Sequence, residues 1–146
     1  MSENRRLILE TDGASRGNPG LSGAGVIIRD EQGHKIESLH EFLGVGTNNQ
    51  AEYRALILGL KAASRHLPVS LQVRSDSELL VKQMTGVYRV RHPEIVPLYL
   101  QAREATDALP EVTYVHVMRE RNREADMLAN AAIDTRMVPG RAAHTE

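Results

Sequence analysis

The chain has no cysteine, no tryptophan, one phenylalanine and four tyrosines among its 146 residues. Without thiols there can be no disulfide, zinc–thiolate site or cysteine nucleophile, so any metal must be held by oxygen or imidazole. The shortage of aromatics leaves the core to Leu, Ile, Val and Ala, and argues against a single-strand binder that stacks bases on an aromatic platform. No apolar run approaches the ~20 residues of a membrane span, and the short run near the N-terminus is too brief for a signal-peptide core. A cytoplasmic, monomeric protein with no membrane partner is expected. The formal charge of −1 offers no overall attraction to a polyanion, so any phosphate binding must come from local Lys and Arg clusters. The balance of 41% hydrophobic and 25% charged residues is globular, and the length suits one domain.

Residues 7–11 form a short apolar run ending at Asp12 and Gly13. Residues 13–23 then carry four glycines and a proline, which reads as a strand followed by a loop. Two further strands are expected over residues 24–29 and 35–43, completing an antiparallel meander. At Asn48 the period changes: Leu56, Leu60, Ala63 and Leu67 recur at helical steps and Pro68 ends the segment. Residues 69–74 and 112–117 read as strands. Helices are expected over residues 77–84, 94–109 and 122–134, and residues 136–146 as a flexible tail beyond a domain of residues 1–135. Three meandering strands followed by strand–helix units predict an α/β protein with a mixed sheet and helices on both faces.

Four acids fall at element ends: Asp12 after the first strand, Glu52 in the first turn of the first helix, Asp76 after the fourth strand, and Asp126 near the start of the last helix. Strand ends and helix starts of an α/β sheet gather at one edge, where sites form. An oxygen-only cluster suits Mg²⁺ or Mn²⁺, hard cations that keep waters and accept phosphate oxygens. Each acid also has a local use: Glu52 would complete a capping box with Asn49, Asp76 precedes the helix cap Ser77, Asp126 favours a helix dipole, and Asp12 could start a turn. Local uses do not explain why all four lie at ends, or why the first precedes a glycine-rich stretch.

Four strings, TDGASRGNPG at 11–20, TNNQAE at 47–52, SDS at 75–77 and EADMLA at 124–129, together resemble type 1 ribonuclease H, in order and with matching elements between them. The resemblance spans about residues 7–134. It implies a ribonuclease H-like fold, with a five-stranded mixed sheet of three antiparallel strands and then two parallel ones. It also implies Asp12, Glu52, Asp76 and Asp126 as ligands of two Mg²⁺ ions, with Mn²⁺ as a substitute. The implied activity is endonucleolytic hydrolysis of the RNA strand of RNA–DNA hybrids, leaving 5′-phosphate and 3′-hydroxyl ends. The alternatives are a non-catalytic hybrid-binding module, a DNA-strand transferase or exonuclease of the same fold, and a nuclease acting on double-stranded RNA or RNA–DNA junctions.

Telling RNA from DNA requires reading 2′-hydroxyls across a wide, shallow minor groove. The resemblance gives that role to Asn18, Asn48 and Asn49, and makes Thr47 part of a pocket for a DNA-strand phosphate. Val45 and Gly46 stand where members often carry a basic residue. Basic clusters at Lys82, Arg89, Arg91 and His92, and at Arg119, Arg121 and Arg123, would position the substrate. Many relatives place a histidine in a loop before the last acid, but residues 118–124 contain none. Arg119 matches its replacement by its seven-residue spacing to Asp126, with Glu120 as second choice, and His116 within the last strand is expected to be structural.

Overall fold

The computed structural model describes residues 5–137. Strands β1 (Arg6–Gly17), β2 (Gly20–Asp30) and β3 (Lys35–Gly46) form an antiparallel meander. Helix α1 (Asn48–Ser64) leads to β4 (Ser70–Ser75), helices α2 (Glu78–Met84) and α3 (Val96–Asp107), strand β5 (Val112–His116), a 3₁₀ turn at Arg119–Arg121, and helix α4 (Arg123–Met137). The sheet order is β3-β2-β1-β4-β5, with β4 parallel to both β1 and β5. Helical crossovers return the chain to the same end of the sheet, which is why these pairs are parallel.

The expected antiparallel and parallel halves are both present, but the glycine-rich stretch is not a loop. β1 continues to Gly17 and β2 begins at Gly20, so the turn shrinks to Asn18 and Pro19. The reason is packing. Asp12 pairs with Gly25 across the hairpin, and a Cβ on Gly25 would lie 2.0 Å from the carbonyl oxygen of Ala125. Gly23 meets Ala129 in the same way, at 2.3 Å. Gly23 and Gly25 let α4 rest directly on the hairpin, while Gly17, at φ 109°, serves the turn.

The strand period of two sorts β1 between two layers. Leu7, Leu9 and Thr11 are buried towards α1, in a core that includes Val26, Ile28, Tyr53, Leu56, Leu60, Leu71 and Val73. Each fully buried leucine there contributes roughly 2 kcal/mol. The Tyr53 hydroxyl, buried with its ring, donates to Gln83 Oε1 at 2.7 Å, so the ring is buried without orphaning its polar end. Glu10 and Asp12 face the other way, towards α4, whose inner side is built from Ala125, Ala129, Ala132 and Ile133.

The last helix starts and ends later than expected. It runs to Met137, so residues 136 and 137 are helical rather than tail, and Arg136 lies 5.3 Å from the centre of the Phe42 ring. Residues 138–146, the rest of the expected tail, lie outside the described residues. Among the described residues, no helix is long and apolar enough to cross a membrane.

Candidate active site

Asp12 sits on β1 one residue past Thr11, the last residue to pair with the parallel strand β4, and it is only 5% exposed. Glu52 reaches it from α1, where Glu52 Oε1 accepts the backbone N–H of Gly13 at 3.1 Å. Only glycine permits this approach, because a Cβ at residue 13 would fall 2.1 Å from the backbone of Ala51. The expected capping box of Asn49 and Glu52 is not the one that forms. Thr47 caps α1, its Oγ1 accepting from Gln50 N at 3.1 Å while Gln50 Oε1 accepts from Thr47 N at 2.8 Å. With the helix end already satisfied two residues earlier, Glu52 is free to face the sheet.

Asp76 follows the last residue of β4. Its neighbours do the local work: Ser75 Oγ accepts from Ser77 N at 3.1 Å, and Ser77 Oγ accepts from Leu80 N at 3.2 Å, capping α2. Carboxylate oxygens of Asp12, Glu52 and Asp76 all lie within 4.8 Å of one another. Asp126, in the first turn of α4, lines the same cleft.

Four acids this close cannot all be ionised cheaply. Burial, then the charges of Glu52, Asp76 and Asp126, hold Asp12 far above the usual carboxylate range. Burial and the charges of Asp76 and Asp126 likewise push Glu52 up, opposed by the Gly13 N–H and the Arg119 guanidinium. The donor set is entirely oxygen and strongly electron-rich, which fits hard divalent cations.

The cleft, of about 370 Å³, is also lined by Asn48, Asn49, Ser77 and Arg119. Of the residues singled out in the sequence, Asp12, Glu52, Asp76, Asp126, Arg119, Asn48 and Asn49 therefore meet in one place. Asn18 and Thr47 do not line it. Asn18 Oδ1 accepts from Asn48 N at 3.0 Å, tying the hairpin turn to the start of α1, and Thr47 is the helix cap. Glu120 is exposed outside the cleft, and His116 is an exposed residue at the end of β5. Lys82 is engaged by Glu78 at 2.9 Å and lies 5.1 Å from the Tyr88 ring centre.

Two asparagines escaped the sequence reading. Asn122, 2% exposed, donates from Nδ2 to Thr11 O at 2.9 Å, while its backbone carbonyl accepts from Asp126 N at 3.2 Å. It thus joins the backbone next to Asp12 to the backbone of Asp126. Asn130 Nδ2 donates to Asp126 O at 3.0 Å and to Asp126 Oδ1 at 3.2 Å. Asn122 was visible only as a helix-start residue, and Asn130 only through its four-residue spacing from Asp126.

A family model described as reverse transcriptase-like matches residues 10–132. The crystal structure of ribonuclease H1 from the archaeon Halobacterium salinarum superposes with a TM-score of 0.86 at 38% identity, over 88% of this chain and 98% of that one. The chain belongs to the type 1 ribonuclease H family. This ribonuclease H domain is also 39% identical to the N-terminal ribonuclease H domain of a Mycobacterium tuberculosis protein, with a TM-score of 0.86 over 88% of this chain and 99% of that one. A ribonuclease H1 solved in complex with an RNA/DNA hybrid matches at 39% identity and a TM-score of 0.87, over 90% of this chain and 99% of that one. Measured against whole curated relatives the coverage is smaller: the chain spans 36% of the bifunctional M. tuberculosis protein and 62% of Halobacterium ribonuclease HI.

Proposed function

We propose that this ribonuclease H domain is an endonuclease that hydrolyses the RNA strand of RNA–DNA hybrids, leaving 5′-phosphate and 3′-hydroxyl ends. The observation that carries the reading is the convergence of Asp12, Glu52 and Asp76 within 4.8 Å, with Asp126 beside them, in a cleft that also presents Asn48 and Asn49. The hybrid held by a relative of 39% identity supports the choice of substrate.

Asp12, Glu52, Asp76 and Asp126 would hold two Mg²⁺ ions, which Mn²⁺ could replace. Bound there, such ions lower the pKa of an attacking water and stabilise a leaving 3′-oxygen. The protein keeps the carboxylates converged before substrate arrives, at the cost of their mutual repulsion. Asn48 and Asn49, exposed at the first turn of α1, are placed to exchange hydrogen bonds with 2′-hydroxyls in the minor groove, which supports selection of RNA. Asn18 contributes by fixing Asn48, and Thr47 by capping the start of α1, next to which a phosphate of the other strand would bind. Arg119 stands in for the loop histidine of many relatives: its charge already reaches Glu52, and its guanidinium would meet phosphate at the cleft.

Incubation with an end-labelled hybrid and Mg²⁺ or Mn²⁺ tests the reading, beside Asp76→Asn and duplex DNA. Internal cuts in RNA alone, ending in 3′-hydroxyls and lost in Asp76→Asn, are expected. Metal binding without cleavage, or equal cutting of DNA, would overturn it. Arg119→Ala should lose about tenfold in rate, some 1.4 kcal/mol in the barrier. A loss below about threefold would remove Arg119 from the catalytic set.

A further inference from the structure

Glu52 is braced by a backbone N–H of β1, whereas Asp126 stands on a helix and needs a brace of its own. We propose that Asn130, oriented by Arg16, is a positioning residue that sets the Asp126 carboxylate for metal binding. The proposal deepens the hydrolytic reading and rests on it.

The amide of Asn130 is held from both ends. Its Nδ2 donates to Asp126 Oδ1 at 3.2 Å and to Asp126 O at 3.0 Å, while its Oδ1 accepts from Arg16 NH2 at 3.0 Å. An asparagine amide can in general be turned over, but not here. A guanidinium only donates and an ionised carboxylate only accepts, so the reversed amide would set donor against donor and acceptor against acceptor. Arg16 therefore fixes the direction of Asn130, and Asn130 in turn pins one oxygen of Asp126.

Arg16 is itself anchored on α4 by Asp134 Oδ1, 2.6 Å from NH1. Arg16, Asn130 and Asp126 thus form a chain from the hairpin to the cleft that couples β1, which carries Asp12, to the helix that carries Asp126, with the exposed Asp134 pair outside it. Partners one step behind a metal ligand commonly change metal affinity or activity by about ten- to a hundredfold when removed.

The test is isothermal titration of the metal-free protein with Mg²⁺ alone, together with kcat and KM on a labelled hybrid, for the parent, Asn130→Ala, Asn130→Asp and Asp134→Asn. Alanine is the best helix former, so the truncated variant keeps α4, and thermal melting checks that it folds. Asn130→Ala should weaken Mg²⁺ binding about tenfold and lower kcat with little change in KM, and raised Mg²⁺ should restore much of the rate. Asn130→Asp, which sets a carboxylate against Asp126, should weaken binding at least as much. Asp134→Asn, which removes an exposed ion pair and leaves the amide bond in place, should stay within about twofold of the parent. Unchanged Mg²⁺ affinity in Asn130→Ala, or an equal loss in Asp134→Asn, would overturn the positioning role while leaving the nuclease reading intact. A parent that neither binds Mg²⁺ nor cleaves would sink both.

Discussion

The two faces of the sheet are packed by different means. Towards α1 the sheet presents Leu7, Leu9, Val26, Ile28, Leu71 and Val73 to a broad apolar layer. Towards α4 it presents Gly23 and Gly25 to Ala125 and Ala129, with little but Ile27 and Ile133 as large buried side chains. The rim of this second face is polar: Arg29 binds both Glu10 and Glu124, Lys35 binds Glu124 at 2.8 Å, and Arg16 binds Asp134. The first face supplies most of the apolar burial. The second fixes where one carboxylate-bearing helix lies against the strand bearing another, because glycine and alanine leave no slack in the distance between backbones.

That contrast can be broken from either side. Among changes away from the carboxylates, the largest effect is expected for Gly25→Ala. Its new Cβ would lie 2.0 Å from Ala125 O, so α4 must move away and carry Asp126 with it. Misplacement on that scale should cost about a hundredfold in kcat, measured on the hybrid for the folded fraction. Leu56→Ala on the opposite face should lower unfolding free energy by about 3 kcal/mol in urea, yet leave kcat of the folded fraction near that of the parent. If the two variants showed the same loss of activity, the division of labour between the faces would be wrong.

A third prediction sharpens the comparison through pH. In metal-free protein Asp12 and Glu52 hold their protons to higher pH in the folded state than in the unfolded chain. The folded state then binds more protons, so their contribution is complete below the ordinary carboxylate range near pH 4 and is lost as pH rises towards the raised native values. Urea midpoints in EDTA should fall from pH 5 to pH 8, and Mg²⁺ should recover the loss by binding only the folded form. Asp12→Asn should be inactive but more stable than the parent at pH 7 without metal, with a flatter pH profile. The smallest effect is expected for Lys35→Ala. Its partner Glu124 keeps Arg29, and loss of one exposed pair should change stability by less than about 1 kcal/mol in the same denaturation assay.

Much of this was legible from residue order. Leu56, Leu60 and Ala63 at helical spacing marked the buried side of α1 and are fully buried, but Leu67, read with them, lies beyond the end of α1 and is 78% exposed. The four acids, read as lying at element ends, pointed to one sheet edge, where they meet, although Asp12 lies within β1 and only just past the end of its pairing with β4. Local pattern failed where two readings fitted equally well. Thr47 with Gln50 and Asn49 with Glu52 both carry a capping-box spacing, and the choice depended on Gly13 offering Glu52 a better partner across 39 residues. Gly13 and Gly23 look like loop glycines because a sequence does not show which helix backbone will press against them.

The sequence by itself determined the kinds of element, their order and the chemistry of the donor set, since periodicity, caps and side-chain type are properties of neighbouring residues. The tertiary structure alone decided the extension of β1 and β2 through the glycines, the recruitment of Asn122 and Asn130 behind Asp126, and the proximity of Asp12 to Asp126. These features arise from close contact between the hairpin and α4, segments a hundred or more residues apart, where only the folded backbone sets the distance.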